Sequence, residues 1–475
     1  MTLGLALLAP LALVQAASPR SDARFEILRR LRAVDASWSR VATPQQREQS
    51  SPYFERAQRA WSEGRLSDCA RELDASIGVL PSGALSEEFA MFARTPERRL
   101  LDRAEPRFRV RFERLYDTET SSLGVAWHEF VAGFRRGELE CGRSAPRGPE
   151  GSFTAPDSVV VVDASLAERA DETLWLWVWD GDWECSKSSL MVSFVARRDE
   201  RLAQLSSAVN AAREVAPKLE LATLERLLSL LNSLASGSTE AHDYPGARLL
   251  SEAEQVVAAA AKGERWYGPE RDGEFFLALP IGERAIPTRV FVPPGVTKET
   301  SAPLVLALHG RVFDEDTWFD GYGGGQAKEL CAQRGWMLAA PRCDGDEDAA
   351  KLDAIVASLA ERYPIDMKRV FVVGHSRGGG SALKALSQAP TQFRAVATIG
   401  AALPTDALAS ITSSQLFLAA GEHDFARVSV EAMHAALAKA GSKTASLHIY
   451  PQAEHWLAVT DALPDVFAWL DQRAN

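Results

Sequence analysis

The chain has 475 residues, a length that predicts two to four domains. Its 46% hydrophobic and 25% charged residues are ordinary for a globular protein with a sizeable core. A formal net charge of −11 argues against nucleic-acid binding, which needs clustered excess Lys and Arg.

The first residues, MTLGLALLAPLALVQAASPRSD, contain an apolar run from Leu3 to Val14. Val14-Gln15-Ala16 offers a small-residue cleavage pattern before Ala17, although no Lys or Arg precedes the run. Residues 1–17 therefore read as a secretory signal peptide, with a secreted or periplasmic mature protein as the expectation. The run is too short to span a bilayer, and no other stretch is long enough, so no integral membrane segment is expected. Of the five cysteines, Cys69, Cys141, Cys185, Cys331 and Cys343, none forms a C-x-x-C pair, and no structural zinc site is expected. In an exported protein Cys141 with Cys185 is the preferred disulfide, since both flank strand-like segments. The alternative is that all five are small buried hydrophobes.

Residues 18–105 read as helices. In YFERAQRAWSEGRLSDCARELDASIGVL, Ala, Trp, Leu and Ile fall at helical spacing on either side of EGRLS. This resembles one hairpin of the tetratricopeptide type, which cannot bury its own face alone. Over 106–197 the period changes. RFRVRFERLY alternates, and SVVVVDA, TLWLWVWDGDWE and SLMVSFVARR are rich in β-branched and aromatic residues, so a small antiparallel sheet or sandwich is expected. Trp175, Trp177 and Trp179 share one face of a strand whose other face is apolar too, which favours core over a sugar-stacking platform. Helices return over 198–264, with leucines at helical spacing in LATLERLLSLLNSLA. No catalytic constellation appears in this half. A binding module, a dimerising arm and a packing shell all remain open for it.

From 265 to 475 short apolar runs alternate with amphipathic helices after a hairpin formed by EFFLALP and TRVFVPPG. The runs are PLVLALHG, GWMLAAPR, RVFVVGHS, AVATIG, QLFLAAGEHD and SLHIYPQAEH. Continuous apolar strands between helices predict an α/β domain: a mostly parallel sheet with helices on both faces. Chemistry in such sheets sits at the carboxyl ends of the strands.

VFVVGHSRGGGS carries G-x-S-x-G where a buried strand meets a helix. A serine on that sharp turn needs neighbours without side chains, because helix and strand pass close. Asp424 and His455 follow, each just past a later strand, with 48 residues from Ser376 to Asp424 and 31 from Asp424 to His455. Glu422 is a nearby rival to Asp424. His309, His375 and His423 read as structural, and their spacing gives no metal ligand pair.

PLVLALHG, YPIDMKRVFVVGHSRGGG, GEHD and AEHW resemble the α/β-hydrolases, nearest to the secreted esterases that include polyhydroxybutyrate depolymerases and feruloyl esterases, and to related peptidases. The resemblance covers only the last 200 or so residues. It implies Ser376 as nucleophile, His455 as base and Asp424 as the acid orienting it, with no cofactor. The backbone N–H groups of Arg377 and Arg311 are the expected oxyanion donors. HGRVFDEDTWFDGYGGG departs from an HGGG-type loop. It puts the Arg311 side chain beside the site, where it would point to solvent, enter an ion pair or bind an anionic acyl group. GYGGG reads as a flexible rim, and Trp318, Phe319 and Tyr322 as candidates to line the substrate pocket. The expected substrate is a small-molecule or polymer-linked carboxylic ester. A serine peptidase of the same fold is the alternative, and a non-catalytic binding protein on a hydrolase scaffold the third reading.

Overall fold

The computed structural model describes residues 19–40, 42–80, 92–116, 129–133, 157–163, 169–180, 183–240, 242–311, 313–343 and 351–474. The expected leader, Cys141, and the side chains of Cys185, Trp175, Trp177 and Trp179 lie outside the described residues. Cys69, Cys331 and Cys343 are buried free thiols. Among the described residues no helix is long and apolar enough to cross a membrane.

The described residues open on three helices: α1 (Pro19–Arg40), α2 (Pro44–Ser62) and α3 (Leu66–Val79). Thr43 caps α2 by accepting the Gln46 N–H while the Gln46 side chain accepts the Thr43 N–H, a reciprocal capping box. Among the described residues seven strands follow: β1 (Phe92–Pro96), β2 (Leu100–Asp102), β3 (Arg107–Arg114), β4 (Glu129–Gly133), β5 (Asp157–Asp163), β6 (Asp171–Asp180) and β7 (Trp183–Val195). They form a three-stranded sheet, β1-β3-β5, and a four-stranded sheet, β2-β7-β6-β4. Two features differ from expectation. β1 and β2 are strands inside the stretch read as helical, and β2 runs parallel to β7. Both are set by partners distant in sequence, since β1 pairs with β3 and Leu100 sits opposite Ser193. Helices α4 (Arg198–Ala212), α5 (Lys218–Ala235) and α6 (Gly246–Ala260) complete this half.

The remainder is one eight-stranded sheet. Its strands are β8 (Gly273–Ile281), β9 (Arg284–Val292), β10 (Ala302–Leu308), β11 (Met337–Pro341), β12 (Ile365–His375), β13 (Ala395–Ile399), β14 (Leu416–Gly421) and β15 (Ala445–Tyr450). Its helices are α7 (Gln326–Arg334), α8 (Leu352–Ala360), α9 (Arg377–Gln388), α10 (Arg427–Lys439) and α11 (Leu457–Ala474). The strand order is β15-β14-β13-β12-β10-β11-β9-β8. β10 to β15 pair in parallel, and β9 turns antiparallel against β11 and β8.

Alternation along each strand feeds two cores. Leu304, Leu306, Leu308, Val370 and Val372 face a core shared with α4, α5, α6, α8, α9 and α10. Val305, Ala307, Phe371 and Val373 face a second core shared with α1, α2, α3, α7 and α11. The N-terminal helices therefore cover both faces of the eight-stranded sheet.

Candidate active site

The turn after β12 is built by steric necessity. Ser376 has φ 52° and ψ −121°, a conformation that side-chain-bearing residues rarely adopt. A Cβ on Gly374 would lie 2.7 Å from the Gly378 carbonyl, and one on Gly378 would lie 2.3 Å from the Leu308 oxygen. A Cβ on Gly379 would meet the Ala401 Cβ at 2.6 Å. The glycines thus let α9 start directly against the ends of β10 and β13. The Ser376 N–H donates to the Ile399 carbonyl at 2.9 Å, and its own carbonyl accepts the Gly380 N–H at 3.0 Å. Arg377 opens α9, where an N–H has no acceptor within the helix and the helix dipole favours negative charge. Its guanidinium turns aside and donates to the Cys343 carbonyl at 2.6 Å, just past β11.

Asp424 and His455 follow β14 and β15 and are both buried. The His455 Nδ1 donates to the Asp424 Oδ1 at 2.8 Å, which leaves Nε2 as the imidazole's acceptor. The same Oδ1 accepts the Ala426 N–H at 2.8 Å. Gly400, at φ +64°, walls this pair: a Cβ there would stand 2.7 Å from the His455 Nδ1 and 2.8 Å from the Asp424 Oδ2. Gly400 directly follows Ile399, the residue that holds the Ser376 N–H, so β13 links the serine turn to the His–Asp pair. Glu422 is engaged elsewhere, accepting the Gln452 N–H at 2.9 Å. His423 lies 3.4 Å from Glu55 of α2.

A second hydrogen-bonded line runs beneath the site. The His375 Nε2 donates to the His455 carbonyl at 3.0 Å, so its Nδ1 accepts from the Tyr322 hydroxyl at 2.6 Å. Burial pushes the His375 pKa well below the usual histidine value, so the ring stays neutral. His309 is likewise fixed, with Nδ1 donating to the Gly310 carbonyl at 2.8 Å and Nε2 accepting the Cys343 N–H at 3.0 Å.

The loop after β10 corrects two expectations. Trp318, Phe319 and Tyr322 are 0%, 1% and 0% exposed and belong to the second core, so they have no surface to offer a substrate. The reason is α1, which covers this loop. The glycine rim is strapped down as well: the Asp35 carboxylate of α1 accepts the Gly323 N–H at 2.5 Å and the Thr460 hydroxyl at 2.6 Å. Arg311 is exposed. Phe313, half-buried, packs on Trp456 with ring centroids 4.6 Å apart.

Behind the loop lies a buried ionic network that sequence reasoning missed. Arg289 donates to Asp316 at 3.1 Å, to Glu274 at 2.8 Å and to Asp320. The Tyr244 hydroxyl donates to Asp316 at 2.7 Å. Arg226 and Arg342 both bridge Glu240 to Glu315. Ligand atoms of His242, Asp314 and Asp316 fall within 4.8 Å of one another, close enough for a metal ion. Each is already engaged: His242 contacts Asp314 at 3.1 Å and Arg32 at 3.0 Å, and Arg289 supplies positive charge to Asp316. The group is therefore satisfied as an ion-pair network. Burial alone would raise the Asp314 pKa, but His242 and Arg342 override it and hold the carboxyl below the usual range. The one sequence signal was Asp314-Glu315-Asp316, three acids inside an aromatic loop. Their partners lie far away along the chain.

Residues 332–425 match the model of the prolyl oligopeptidase family. No curated protein matches the chain. Among solved structures it is similar to a ferulic acid esterase, at 16% identity over 43% of this chain and 98% of that one, with a TM-score of 0.37. It is also similar to an S-formylglutathione hydrolase from Agrobacterium tumefaciens, at 13% identity over 43% and 97%, TM-score 0.37. A third is a CE1 ferulic acid esterase from Anaeromyces mucronatus in complex with ferulic acid, at 14% identity over 44% and 92%, TM-score 0.37. By its sheet order and its serine turn, the C-terminal part of the chain, β8 to α11, has an α/β-hydrolase fold, and residues 332–425 within it match the prolyl oligopeptidase family.

Proposed function

We propose that the protein hydrolyses a small-molecule or polymer-linked carboxylic ester through an acyl-enzyme on Ser376. The observation that carries this reading is the 2.8 Å bond between His455 and Asp424, beside a serine held at positive φ on a strand-to-helix turn. A serine hydroxyl is a weak nucleophile at neutral pH. His455 takes its proton through Nε2 as the hydroxyl attacks the ester carbonyl. Asp424 keeps the proton on Nδ1 and stabilises the imidazolium. The backbone N–H groups of Arg377 and Arg311 receive the oxyanion, each worth about 3–4 kcal/mol of barrier. His455 then protonates the departing alkoxide, and water hydrolyses the acyl-enzyme by the same steps.

The second reading is a serine peptidase, favoured by the prolyl oligopeptidase family match. Labelling by a fluorophosphonate probe tests both readings at once. Wild type is expected to label and Ser376→Ala is not; no labelling of wild type, or equal labelling of the two, leaves a non-catalytic binding protein. p-Nitrophenyl esters compared with peptide p-nitroanilides then separate esterase from peptidase. Export is part of the same proposal, and a mature N-terminus at Ala17 is its readout.

A further inference from the structure

Four large hydrophobic side chains stand exposed among the described residues: Val215, Met367, Phe425 and Val428. Met367 belongs to the start of β12, the end of the sheet opposite Ser376, and Val215 to the connection between α4 and α5. Phe425 and Val428 differ, because they flank the site. Phe425 follows Asp424 directly, and Val428 lies three residues on, in the first turn of α10. They are 73% and 75% exposed.

Phe425 also touches the chemistry. Its ring centroid lies 4.2 Å from that of His455, at an interplanar angle of 37°. His455 is only 7% exposed. One face of Phe425 thus covers the imidazole while most of the ring remains in water. Leaving an aromatic surface wet forgoes the stabilisation that burial would give, and nothing among the described residues covers this ring.

What would cover it follows from the role of His455. The imidazole delivers a proton to the departing alkoxide, so the leaving oxygen must sit next to it. The substituent on that oxygen extends from the imidazole toward solvent, where Phe425 is the apolar surface against the imidazole and Val428 stands one helical turn further on. We propose that Phe425 and Val428 form a leaving-group subsite, and that the preferred substrate is an ester of a bulky apolar alcohol. This rests on the acyl-enzyme reading given above.

Acetates of primary alcohols test it, because the acyl group stays constant while the alcohol grows from ethyl to hexyl to 4-phenylbutyl. Wild type is expected to show kcat/KM rising along the series. Phe425→Ala is expected to lose about tenfold for the 4-phenylbutyl ester, the scale of one aromatic contact, and far less for ethyl acetate. Phe425→Leu should restore part of the loss, and fluorophosphonate labelling of each variant reports that the nucleophile is intact. An equal loss on all esters with slowed labelling would overturn the subsite and make Phe425 a cover for His455. A flat wild-type series, or a preference that survives Phe425→Ala, would also overturn it while the esterase reading stood. A wild type that neither labels nor cleaves any ester would remove both.

Discussion

Replacing Arg289 by methionine removes a cation from the network behind the loop after β10 while keeping an unbranched side chain of similar reach. The Arg289 side chain is 7% exposed, and its partner Asp316 is 0% exposed. Breaking one side of a buried ion pair costs about 3–5 kcal/mol, because the remaining charge is left uncompensated. Here the lower end applies. Asp316 keeps the Tyr244 hydroxyl, Glu274 keeps Lys328 at 2.8 Å, and the 37% exposed Asp320 can hydrate. The guanidinium also sits 4.6 Å from the Phe276 ring and 4.7 Å from the Phe319 ring, contacts that methionine replaces only in part. A loss of about 3 kcal/mol is therefore expected in equilibrium urea unfolding followed by tryptophan fluorescence. Activity should fall as well, because the same loop carries Arg311. Arg65→Ala, which removes an exposed pair with Glu63, should leave the midpoint where it is. A loss below about 1 kcal/mol for Arg289→Met, the scale of a surface pair, would refute the reasoning.

Two further outcomes follow from the site. Gly400→Ala drives a methyl into His455 and Asp424 at a position of positive φ. A displacement of about 1 Å at the imidazole is enough for a loss near 10²-fold in kcat, with far-ultraviolet circular dichroism expected to remain wild-type; normal turnover would contradict the contact. The second concerns pH. His375 stays neutral in the folded protein, whereas in the unfolded chain it takes a proton below about pH 6.5. Its contribution is complete above pH 6.5 and is lost as the pH falls toward the depressed folded value, at about 1.4 kcal/mol per pH unit. Unfolding free energies measured between pH 6.5 and 5 should fall more steeply for wild type than for His375→Asn by that amount, and parallel slopes would count against it.

Much of the sheet is legible because a strand buried on both faces must be apolar throughout, as Val370 to Val373 are. The serine turn is legible for a harder reason: Gly374, Gly378 and Gly379 stand where any Cβ would collide, so their spacing records geometry directly. Asp424 and His455 can be picked out as candidates because each closes a readable strand. What fails is whatever distant residues decide. Trp318, Phe319 and Tyr322 look like a pocket wall beside a glycine loop, and only the cover provided by α1 makes them core. β1 and β2 carry weak local signals and are strands because of β3 and β7. Asp314, Glu315 and Asp316 resemble a solvated acidic run until Arg226, Tyr244, Arg289 and Arg342 close around them.

The Asp35 strap has a consequence for how the chain is made. Asp35 meets Thr460 across 425 residues of sequence. During synthesis α1 emerges long before Gly323 and Thr460, the two residues that donate to its carboxylate. At about 5–20 residues per second, α1 waits for tens of seconds before its partner exists. In that interval the apolar stripe of Ile27, Leu28, Leu31 and Val34 has no sheet to cover. Closing so long a loop is an intrinsically slow step, so docking of α1 is expected to be a late event in folding, with its apolar stripe dependent on being kept from aggregation until α11 is released.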